Sequence, residues 1–385
     1  MTKSPATSPV IGKRKPLHPQ AELRDDSLPE FMTLHEIIKK AHQRLHQNSW
    51  DYLMGGTETE TTLKRNRMAL DTIGFKPRIC RDVREIDLST TFLNRKLRLP
   101  LMLAPIGQLH RFGTDGGATS ARAADEFGIA HMLSSQTKPG LEEVAAAADN
   151  LRIFQLYVRG DQQWVDEYAK RAIDNGYSAF CFTVDSSHYS RRERDIAKGN
   201  AGQFNASLGR EYQPRLNWDQ IKHYKDNFDL PLIIKGICTA EDAQMALDHG
   251  VEGIYVTNHG GRQLDHGLGA IDLLPEIVHV AKGKAMIIVD SGFCRGTDIV
   301  KAKALGADII GLGKLQGLAL AAGDESGVVR MLEILEHEMM TCLGLIGCTS
   351  FDDLDESYLL HNSPSVTPPH VTSAFPFLNL ADGGY

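Results

Sequence analysis

The chain has 385 residues, of which 42% are hydrophobic and 24% charged, a composition typical of a globular protein with a sizeable core. Its apolar runs are far shorter than the roughly 20 residues that a membrane-spanning helix needs, and a formal net charge of −7 argues against nucleic acid as a main partner. The six cysteines form no Cys-x-x-Cys pair and no signal-type hydrophobic segment opens the chain, so we expect free thiols, no metal and a cytoplasmic protein.

The two ends of the chain differ in composition from its centre. Residues 1–28 are rich in proline, serine and lysine, which predicts a disordered tail, and 361–385 form a proline-containing C-terminal tail. Within 33–69, apolar residues recur every three or four positions, from Leu34 to Leu45, which predicts helices. A polar link over 71–94 follows, and we treat 29–360 as one domain.

From Leu99 onward, short apolar runs alternate with helical patterns. Eight runs are rich in Val, Ile, Leu, Phe and Met, as expected of parallel strands that are buried on both faces. They are Leu99–Ile106, Ile129–Ser135, Arg152–Val158, Ala179–Asp185, Pro231–Ile237, Gly253–His259, Ala285–Gly292 and Asp308–Lys314. Eight successive strand–helix units predict an α/β protein with a (β/α)8 TIM barrel and an N-terminal helical extension. The alternative, a doubly wound open sheet, predicts fewer strands and an early Gly-x-Gly-x-x-Gly, which is absent.

Polar residues occupy the C-terminal ends of these predicted strands, where the chemistry of such barrels lies. The fourth run ends at Asp185, the sixth at His259 and the seventh reaches Asp290, while Lys235 lies inside the apolar fifth run. A buried lysine is costly unless an anionic group meets it, so packing alone is a poor explanation. Glycines after the last two strands let backbone N–H groups approach a phosphate at a helix start.

Several stretches around these residues match the sequence pattern of a known protein family. The matching stretches are Asp51-Tyr52, Ala104-Pro105-Ile106, Leu133-Ser134-Ser135, Phe154-Gln155-Leu156-Tyr157, Thr183-Val184-Asp185, Arg191-Arg192-Glu193, Ile234-Lys235-Gly236, Asn258-His259-Gly260-Gly261-Arg262-Gln263-Leu264 and Asp290-Ser291-Gly292. With them the chain resembles the FMN-dependent (S)-2-hydroxy-acid oxidases and dehydrogenases, from about residue 30 to 355. That family includes glycolate oxidase, lactate oxidase, lactate monooxygenase and mandelate dehydrogenase.

The resemblance implies oxidation of a small (S)-2-hydroxy acid to the 2-oxo acid, with FMN as cofactor. His259 is expected to act as the base, oriented by Asp185, while Lys235 neutralises the charge that develops at flavin N1. Arg262 and Arg192 are expected to bind the substrate carboxylate, with Tyr52, Tyr157 and Gln136 around the substrate. The resemblance places these residues around FMN: Pro105, Ile106, Gly107, Ser134, Gln155, Thr183, Lys235, Thr257, Asp290, Ser291, Gly292, Gly313 and Lys314.

Five features of the chain depart from the family pattern. Cys294 stands where the family has a phosphate-binding arginine, and Lys314 replaces a second one. Gln136 replaces an aromatic residue of the pocket wall, and Gly107 an alanine that is common beside flavin N5 in oxidases. Residues 197–217, where membrane-bound members carry an anchor, are short and polar, so we expect no membrane association.

Two other functions stay open at this point. The polar Gln136 allows a peptide-derived or amine substrate in a biosynthetic pathway, although two arginines suit a free carboxylate better. A flavin-free binding protein is a third interpretation, suggested by Cys294. The substrate and the electron acceptor are left open, and a homotetramer is expected because relatives are often tetramers.

Overall fold

The computed structural model of the protein describes residues 30–198, 209–364, 374–375 and 378. The predicted tail 1–28, 18 of the 25 residues 361–385 and about half of the polar stretch 197–217 therefore lie outside the described residues. Within the described part, no helix has both the length and the apolar character that crossing a membrane would require. All six cysteines are free thiols; three are buried, and Cys80 is exposed.

Three helices precede the barrel, as predicted: α1 (Leu34–Arg44), α2 (Gln47–Met54) and α3 (Thr61–Asp71). A capping box starts α1, in which the Thr33 hydroxyl accepts a hydrogen bond from the Glu36 N–H at 3.4 Å. The helix buries its predicted apolar face against the C-terminal helix of the domain. The three helices bring Tyr52 of α2 and Arg67 of α3 to the rim of the barrel.

The segment interpreted as a polar link contains short strands. β1 (Gly74–Phe75) pairs with Leu359–Leu360 from the other end of the domain. β2 (Thr90–Phe92) and β3 (Arg95–Leu97) form a hairpin, and its Phe92 and Leu97 pack with residues of the barrel interior. Strands of two or three residues carry too little periodicity to be visible in the sequence.

The eight predicted strands close into a parallel barrel in chain order, with the last strand paired to the first. They are β4 (Leu101–Leu103), β5 (Ala130–Ser134), β6 (Arg152–Leu156), β7 (Ala179–Thr183), β8 (Leu232–Ile237), β9 (Gly253–Val256), β10 (Met286–Val289) and β11 (Ile309–Leu312); Leu359–Leu360 is β12. The surrounding helices are α4 (Gly117–Phe127), α5 (Leu141–Ala147), α6 (Gln162–Asp174), α7 (Glu193–Ala197), α8 (Trp218–Asn227), α9 (Ala240–Asp248), α10 (Ala270–Ala281), α11 (Gly296–Ala304) and α12 (Lys314–Ile346), the last kinked at Gly323–Asp324. The fold is the predicted (β/α)8 barrel.

Most strands end up to three residues earlier than predicted, because polar residues and glycines leave the hydrogen-bonded ladder at the C-terminal rim. Alternate residues of a strand share one face, so the inner face of each strand continues from the packed interior to the rim. Met132, Ile153, Cys181 and Ile233 belong to that interior. Two positions further along the same strands stand Ser134, Gln155, Thr183 and Lys235, all buried.

Candidate active site

A cavity of about 590 Å³ lies at the C-terminal rim of the barrel. Fifteen of the predicted site residues line it: Tyr52, Pro105, Ile106, Gly107, Gln136, Tyr157, Arg192, Lys235, His259, Arg262, Asp290, Ser291, Gly292, Gly313 and Lys314. The other five, Ser134, Gln155, Thr183, Asp185 and Thr257, are not on its wall. Sequence positions from residue 52 to residue 314 thus converge on one space.

His259 is held in one orientation by three contacts. Its Nδ1 lies 2.8 Å from Oδ1 of Asp185, and its Nε2 lies 3.2 Å from the hydroxyl of Tyr157. Its backbone N–H donates to the Thr257 hydroxyl at 3.0 Å, and its φ of 60° is in the left-handed region. Because a carboxylate can only accept, the Nδ1 carries the proton and the Nε2 lone pair faces the cavity.

The charges around His259 set its protonation state. Burial lowers the pKa of His259, and the neighbouring Asp185 carboxylate opposes that effect. Burial alone would raise the pKa of Asp185, but the interaction with His259, including its hydrogen bond, and the charge of Lys235 hold it below its ordinary value. The imidazole is therefore neutral at neutral pH and stands beside a fixed negative charge, which stabilises the imidazolium that forms when it takes up a proton.

Strand β8 approaches this pair closely through Gly236. The residue has a φ of 122°, and a Cβ atom there would lie 2.8 Å from the Cβ of Asp185. Any side chain at this position would displace the carboxylate that orients His259. The glycine also follows Lys235, whose side chain is 4% exposed and enters the cavity wall.

Two arginines stand beside His259 and share an aromatic neighbour. Arg262 donates to the backbone oxygens of Tyr52 and Gly55, the latter at 3.0 Å. The Cζ atoms of Arg262 and Arg192 lie 4.8 and 5.9 Å from the centre of the Tyr52 ring. Burial and the charge of Arg192 lower the pKa of Arg262 to about 10, so it is still protonated at neutral pH. Two adjacent buried guanidinium groups form a site for an anion.

The wall opposite the base is polar, as the sequence suggested. Gln136 lines the cavity where the family has an aromatic ring. The Tyr52 hydroxyl donates to the Gly107 carbonyl at 3.3 Å, and a Cβ on Gly107 would lie 3.3 Å from the Cβ of Gln136. Burial raises the pKa of Tyr157, so its phenol stays protonated and donates to His259.

The residues behind the cavity fit the edge of a flavin ring. Both amide atoms of Gln155 and the hydroxyl of Thr183 are buried without a hydrogen-bond partner among the described residues. Buried polar groups are almost always hydrogen-bonded, so these orphaned atoms indicate a missing polar partner at this rim. Asp290 is less available, because its carboxylate accepts from the hydroxyls of Tyr255 at 2.9 Å, Thr257 and Ser291.

The loops after β10 and β11 bring Cys294 and Lys314 to the cavity, where the Lys314 ammonium donates to the Gly260 carbonyl at 3.4 Å. Burial, together with the charges of Arg262 and Arg192, lowers the pKa of Lys314 to about 7. Burial raises the pKa of the Cys294 thiol to about 12, so it is neutral. This part of the cavity therefore has one easily deprotonated lysine where the family pattern has two arginines.

Arg67, which the sequence patterns did not reveal, is a second cation in this part of the cavity. Its guanidinium donates to both carboxylate oxygens of Asp298 at 2.7 Å and to the Gly292 carbonyl at 3.1 Å. It also pairs with Asp71, four residues along α3. Arg67 lines the cavity, but these two carboxylates already balance its charge. Its Asn-Arg context in a helix offered no local signal of this position.

Arg295, which follows Cys294 in the chain, is not on the cavity wall. It pairs with Glu338 at 2.5 Å, and its Nη1 donates to the Ala374 carbonyl at 3.4 Å. The next residue, Phe375, is 2% exposed and lines the cavity. This part of the C-terminal tail thus packs on its own chain.

An oriented histidine, a buried lysine and two arginines lie at the rim of this barrel, beside buried polar groups that lack a hydrogen-bond partner among the described residues. Together these features define a flavin-dependent oxidoreductase. The chain matches the family described as FMN-dependent dehydrogenase over residues 41–210 and 197–361. The protein belongs to the FMN-dependent dehydrogenase family.

Its relatives include enzymes that are named for oxidation of different 2-hydroxy acids. An L-lactate oxidase of Nostoc sp. is 35% identical over 86% of this chain and 98% of its own. Glycolate oxidase 1 of Oryza sativa subsp. japonica is 36% identical over 88% and 98%. A structure of mandelate oxidase with (S)-2-phenylpropionate has a TM-score of 0.80 at 34% identity and covers 87% of this chain and 100% of its own.

Proposed function

We propose that this protein oxidises a small (S)-2-hydroxy acid to the 2-oxo acid, with His259 as the base. The observation that carries the proposal is the convergence, in one cavity, of the His259–Asp185 pair and the two arginines Arg192 and Arg262. A base and an anion site side by side match a substrate that bears a carboxylate next to the reacting carbon.

His259 has the geometry and charge for proton removal. Its Nε2 is unprotonated at neutral pH and accepts from the Tyr157 hydroxyl, which a substrate hydroxyl can replace. As the Nε2 takes up the substrate proton, Asp185 stabilises the new positive charge at 2.8 Å. General base catalysis of this kind contributes about 10²–10⁴ in rate.

The other polar residues orient the substrate. Arg192 and Arg262 bind the carboxylate through forked N–H groups, and the hydroxyls of Tyr52 and Tyr157 bind its remaining oxygens. The pair also argues for a carboxylate over the neutral or cationic amine that Gln136 alone would admit, since an amine offers no pair of oxygens to the two guanidinium groups and a cationic amine would be repelled by them.

FMN, when bound, accepts the hydride equivalent from the α-carbon. The residues that would hold it are Gln155, Thr183 and Ser134 at the ring edge, Lys235 near N1, and Gly292, Gly313 and Lys314 at the phosphate. The orphaned amide of Gln155 and hydroxyl of Thr183 support this placement. These unsatisfied donors also argue against a binding protein that has lost its flavin.

Anaerobic flavin bleaching tests the proposal. The purified yellow protein is mixed with a graded series of (S)-2-hydroxy acids, with the (R) enantiomers and (S)-amides as controls. We expect at least one (S) acid to bleach the flavin and its enantiomer and amide to fail. Bleaching by amines alone, or by amides as fast as acids, would contradict the carboxylate role of the arginines.

We also propose a cytoplasmic homotetramer, which rests on the resemblance and on the reduced cysteines. Light scattering coupled to size-exclusion chromatography measures the subunit number, and a monomer at micromolar concentration would contradict it.

A further inference from the structure

The loop after β9 that carries His259 has a backbone in the left-handed region. His259, Gly260 and Gly261 follow one another with φ values of 60°, 66° and 71°. Glycine adopts this region freely, whereas the Cβ atom of a histidine crowds the backbone there. Such a conformation persists only where neighbouring groups hold it. The contacts that hold this loop therefore decide where the imidazole of His259 lies.

Two hydroxyl groups accept consecutive backbone N–H groups of this loop. The N–H of His259 donates to the Thr257 hydroxyl at 3.0 Å, and the N–H of Gly260 donates to the Ser291 hydroxyl at 3.0 Å. The two hydroxyl oxygens lie 3.3 Å apart and both are buried. Because Ser291 belongs to the loop after β10, its bond ties the loop of His259 to the neighbouring strand.

Both hydroxyls are fixed by the carboxylate of Asp290. Thr257 and Ser291 donate to its Oδ1, Ser291 at 2.9 Å. The hydroxyl of Tyr255, inside the barrel, donates to Oδ2 at 2.9 Å. Burial raises the pKa of Tyr255 well above its ordinary value, so the phenol keeps the proton that it donates. The carboxylate is thus held through both oxygens and orients the two hydroxyls towards the loop.

These bonds leave the two hydroxyls little to offer a cofactor. A hydroxyl has one proton, and in Thr257 and in Ser291 that proton goes to Asp290. Neither residue can therefore also donate to FMN, and Thr257 is not on the cavity wall. Ser291 has a φ of 87°, which a side chain disfavours, and this conformation directs its hydroxyl to Asp290 and Gly260 together.

We propose that Thr257 and Ser291 are positioning residues for His259, which they hold through the backbone of its loop and through their shared bonds to Asp290. This role rests on the proposed function, in which His259 is the base. It assigns the two hydroxyls to the base, although the resemblance placed both residues around FMN. Loss of either hydroxyl should therefore slow the chemical step and leave the affinity for FMN unchanged.

Thr257→Val and Thr257→Ser test the first hydroxyl. Valine is similar in shape but has no hydroxyl, whereas serine retains it. Anaerobic stopped-flow absorbance, with the (S)-2-hydroxy acid that bleaches the wild type fastest, gives the limiting rate of flavin reduction and the apparent Kd of the substrate. We expect Thr257→Val to lower the limiting rate about tenfold to a hundredfold, the usual result of displacing a catalytic group by about 1 Å, and to leave the substrate Kd within about twofold. Thr257→Ser should restore most of the rate.

Ser291→Ala and Ser291→Gly test the second hydroxyl. Both variants remove it, and glycine also relieves the disfavoured φ, so Ser291→Gly should melt no lower than Ser291→Ala. Each should slow flavin reduction about tenfold or more, while titration of apo-protein with FMN should give a Kd within about twofold of the wild type. Ser350→Ala is the matched control. The Ser350 hydroxyl also donates to a carboxylate, that of Asp353 at 2.8 Å, and accepts an N–H at 3.2 Å, but it is not on the cavity wall, so this variant should change neither quantity.

A second readout follows His259 without any substrate. Solid-state NMR of protein with isotope-labelled histidine reports which imidazole nitrogen carries the proton, and the signal that is absent from His259→Ala belongs to His259. We expect the Nδ1–H tautomer in the wild type, as its bond to Asp185 requires. In Thr257→Val we expect a mixture of the two tautomers.

The outcomes separate this inference from the proposed function. Weaker FMN binding with an unchanged limiting rate at saturating FMN would mean that the hydroxyls hold the cofactor, and this would overturn the inference. Wild-type rates in both Thr257→Val and Ser291→Gly, or identical NMR spectra in Thr257→Val and the wild type, would overturn it as well. Absence of bleaching by every 2-hydroxy acid would instead overturn the proposed function, and the NMR comparison would still decide whether the hydroxyls position His259.

Discussion

At one end of the cavity, Asp185, Tyr157 and Thr257 hold His259 through contacts of at most 3.2 Å. Arg192 and Arg262 lie beside it. In the loops after β10 and β11, Cys294 and Lys314 stand where the family has arginines, and Arg67 of α3, beside them, is bound to Asp298 at 2.7 Å. We call the first the hydroxy-acid end and the second the phosphate end.

The difference follows from what each end must do. Proton removal requires the substrate hydroxyl to be aligned with the base, so few changes of side chain are tolerated at the hydroxy-acid end. A phosphate can be bound by backbone N–H groups and by cations in several arrangements, so side chains at the phosphate end can be exchanged. We therefore expect changes at the first end to alter the chemical step and changes at the second to alter cofactor affinity.

The largest effect is expected for His259→Ala. Loss of the base should slow anaerobic flavin reduction by about a thousandfold, within the usual contribution of general base catalysis, while FMN stays bound. Stopped-flow absorbance follows the reduction, and the flavin spectrum of the purified variant reports FMN content. Near-normal bleaching of the flavin in this variant would contradict the assignment of His259 as the base.

Arg262→Lys should lower kcat/KM about tenfold to a hundredfold. Lysine retains the charge but loses the fork that meets both carboxylate oxygens, and a hydrogen bond to a charged group is worth about 1.5–3 kcal/mol. Steady-state kinetics with the best substrate measure the change. Arg191→Lys is the surface control, and equal losses in both variants would contradict the assignment.

Cys294→Arg should tighten FMN binding about tenfold or more, because it adds a charge-assisted contact to the phosphate. Cys294→Met adds bulk without charge, so it should not tighten FMN binding. Titration of apo-protein with FMN and with riboflavin isolates the share of the phosphate. If the wild type already prefers FMN as strongly as the arginine variant, Arg67 or another cation supplies the contact.

The affinity for FMN should fall with rising pH, by at most about tenfold per unit. Lys314 has a pKa of about 7 in the free site, lowered by burial and by Arg262 and Arg192, whereas a bound phosphate favours its charged form. Below pH 7 the lysine is already protonated, so this contribution is complete; above pH 7 binding must take up a proton. Cys294 and Glu60 also face Lys314. Titrations between pH 7 and 9 should show the fall, and Lys314→Met should abolish it.

The smallest effect is expected for Gly107→Ala. Glycine at this position resembles relatives that react slowly with oxygen, so the wild-type reduced flavin should reoxidise slowly and the alanine variant a few-fold faster. The added methyl would lie 3.3 Å from the Cβ of Gln136 and 3.5 Å from the Tyr52 hydroxyl. Wild-type reoxidation at the rate of a typical oxidase would contradict the role of the glycine.

The fold was predictable because each barrel strand is a continuous apolar run and each helix shows its own period. Thr239, for example, is a residue type typical of a helix N-cap, and its hydroxyl accepts from the Asp242 N–H at 3.1 Å. The strands β1 to β3 were not predictable, since two or three residues carry no periodicity. The C-terminal ends of most strands were predicted up to three residues too late. The residues around Thr257 and His259, for example, are compatible with a strand, although the chain leaves the sheet there.

Site residues that belong to a local sequence motif were predictable, whereas those that folding brings together from distant segments were not. Asn-His-Gly-Gly-Arg and Thr-Val-Asp identified His259, Arg262 and Asp185. Arg67 belongs to a helix more than two hundred residues from Asp298, and its ion pair exists only in the folded chain.

One crossed measurement tests the division between the two ends most directly. FMN affinity and the anaerobic reduction rate at saturating FMN are determined for His259→Ala and Lys314→Met. We predict that His259→Ala changes only the rate and Lys314→Met only the affinity, each leaving the other quantity within about twofold, because base and phosphate contact act in separate steps. Slow reduction in Lys314→Met at saturating FMN, or loss of FMN from His259→Ala, would contradict it.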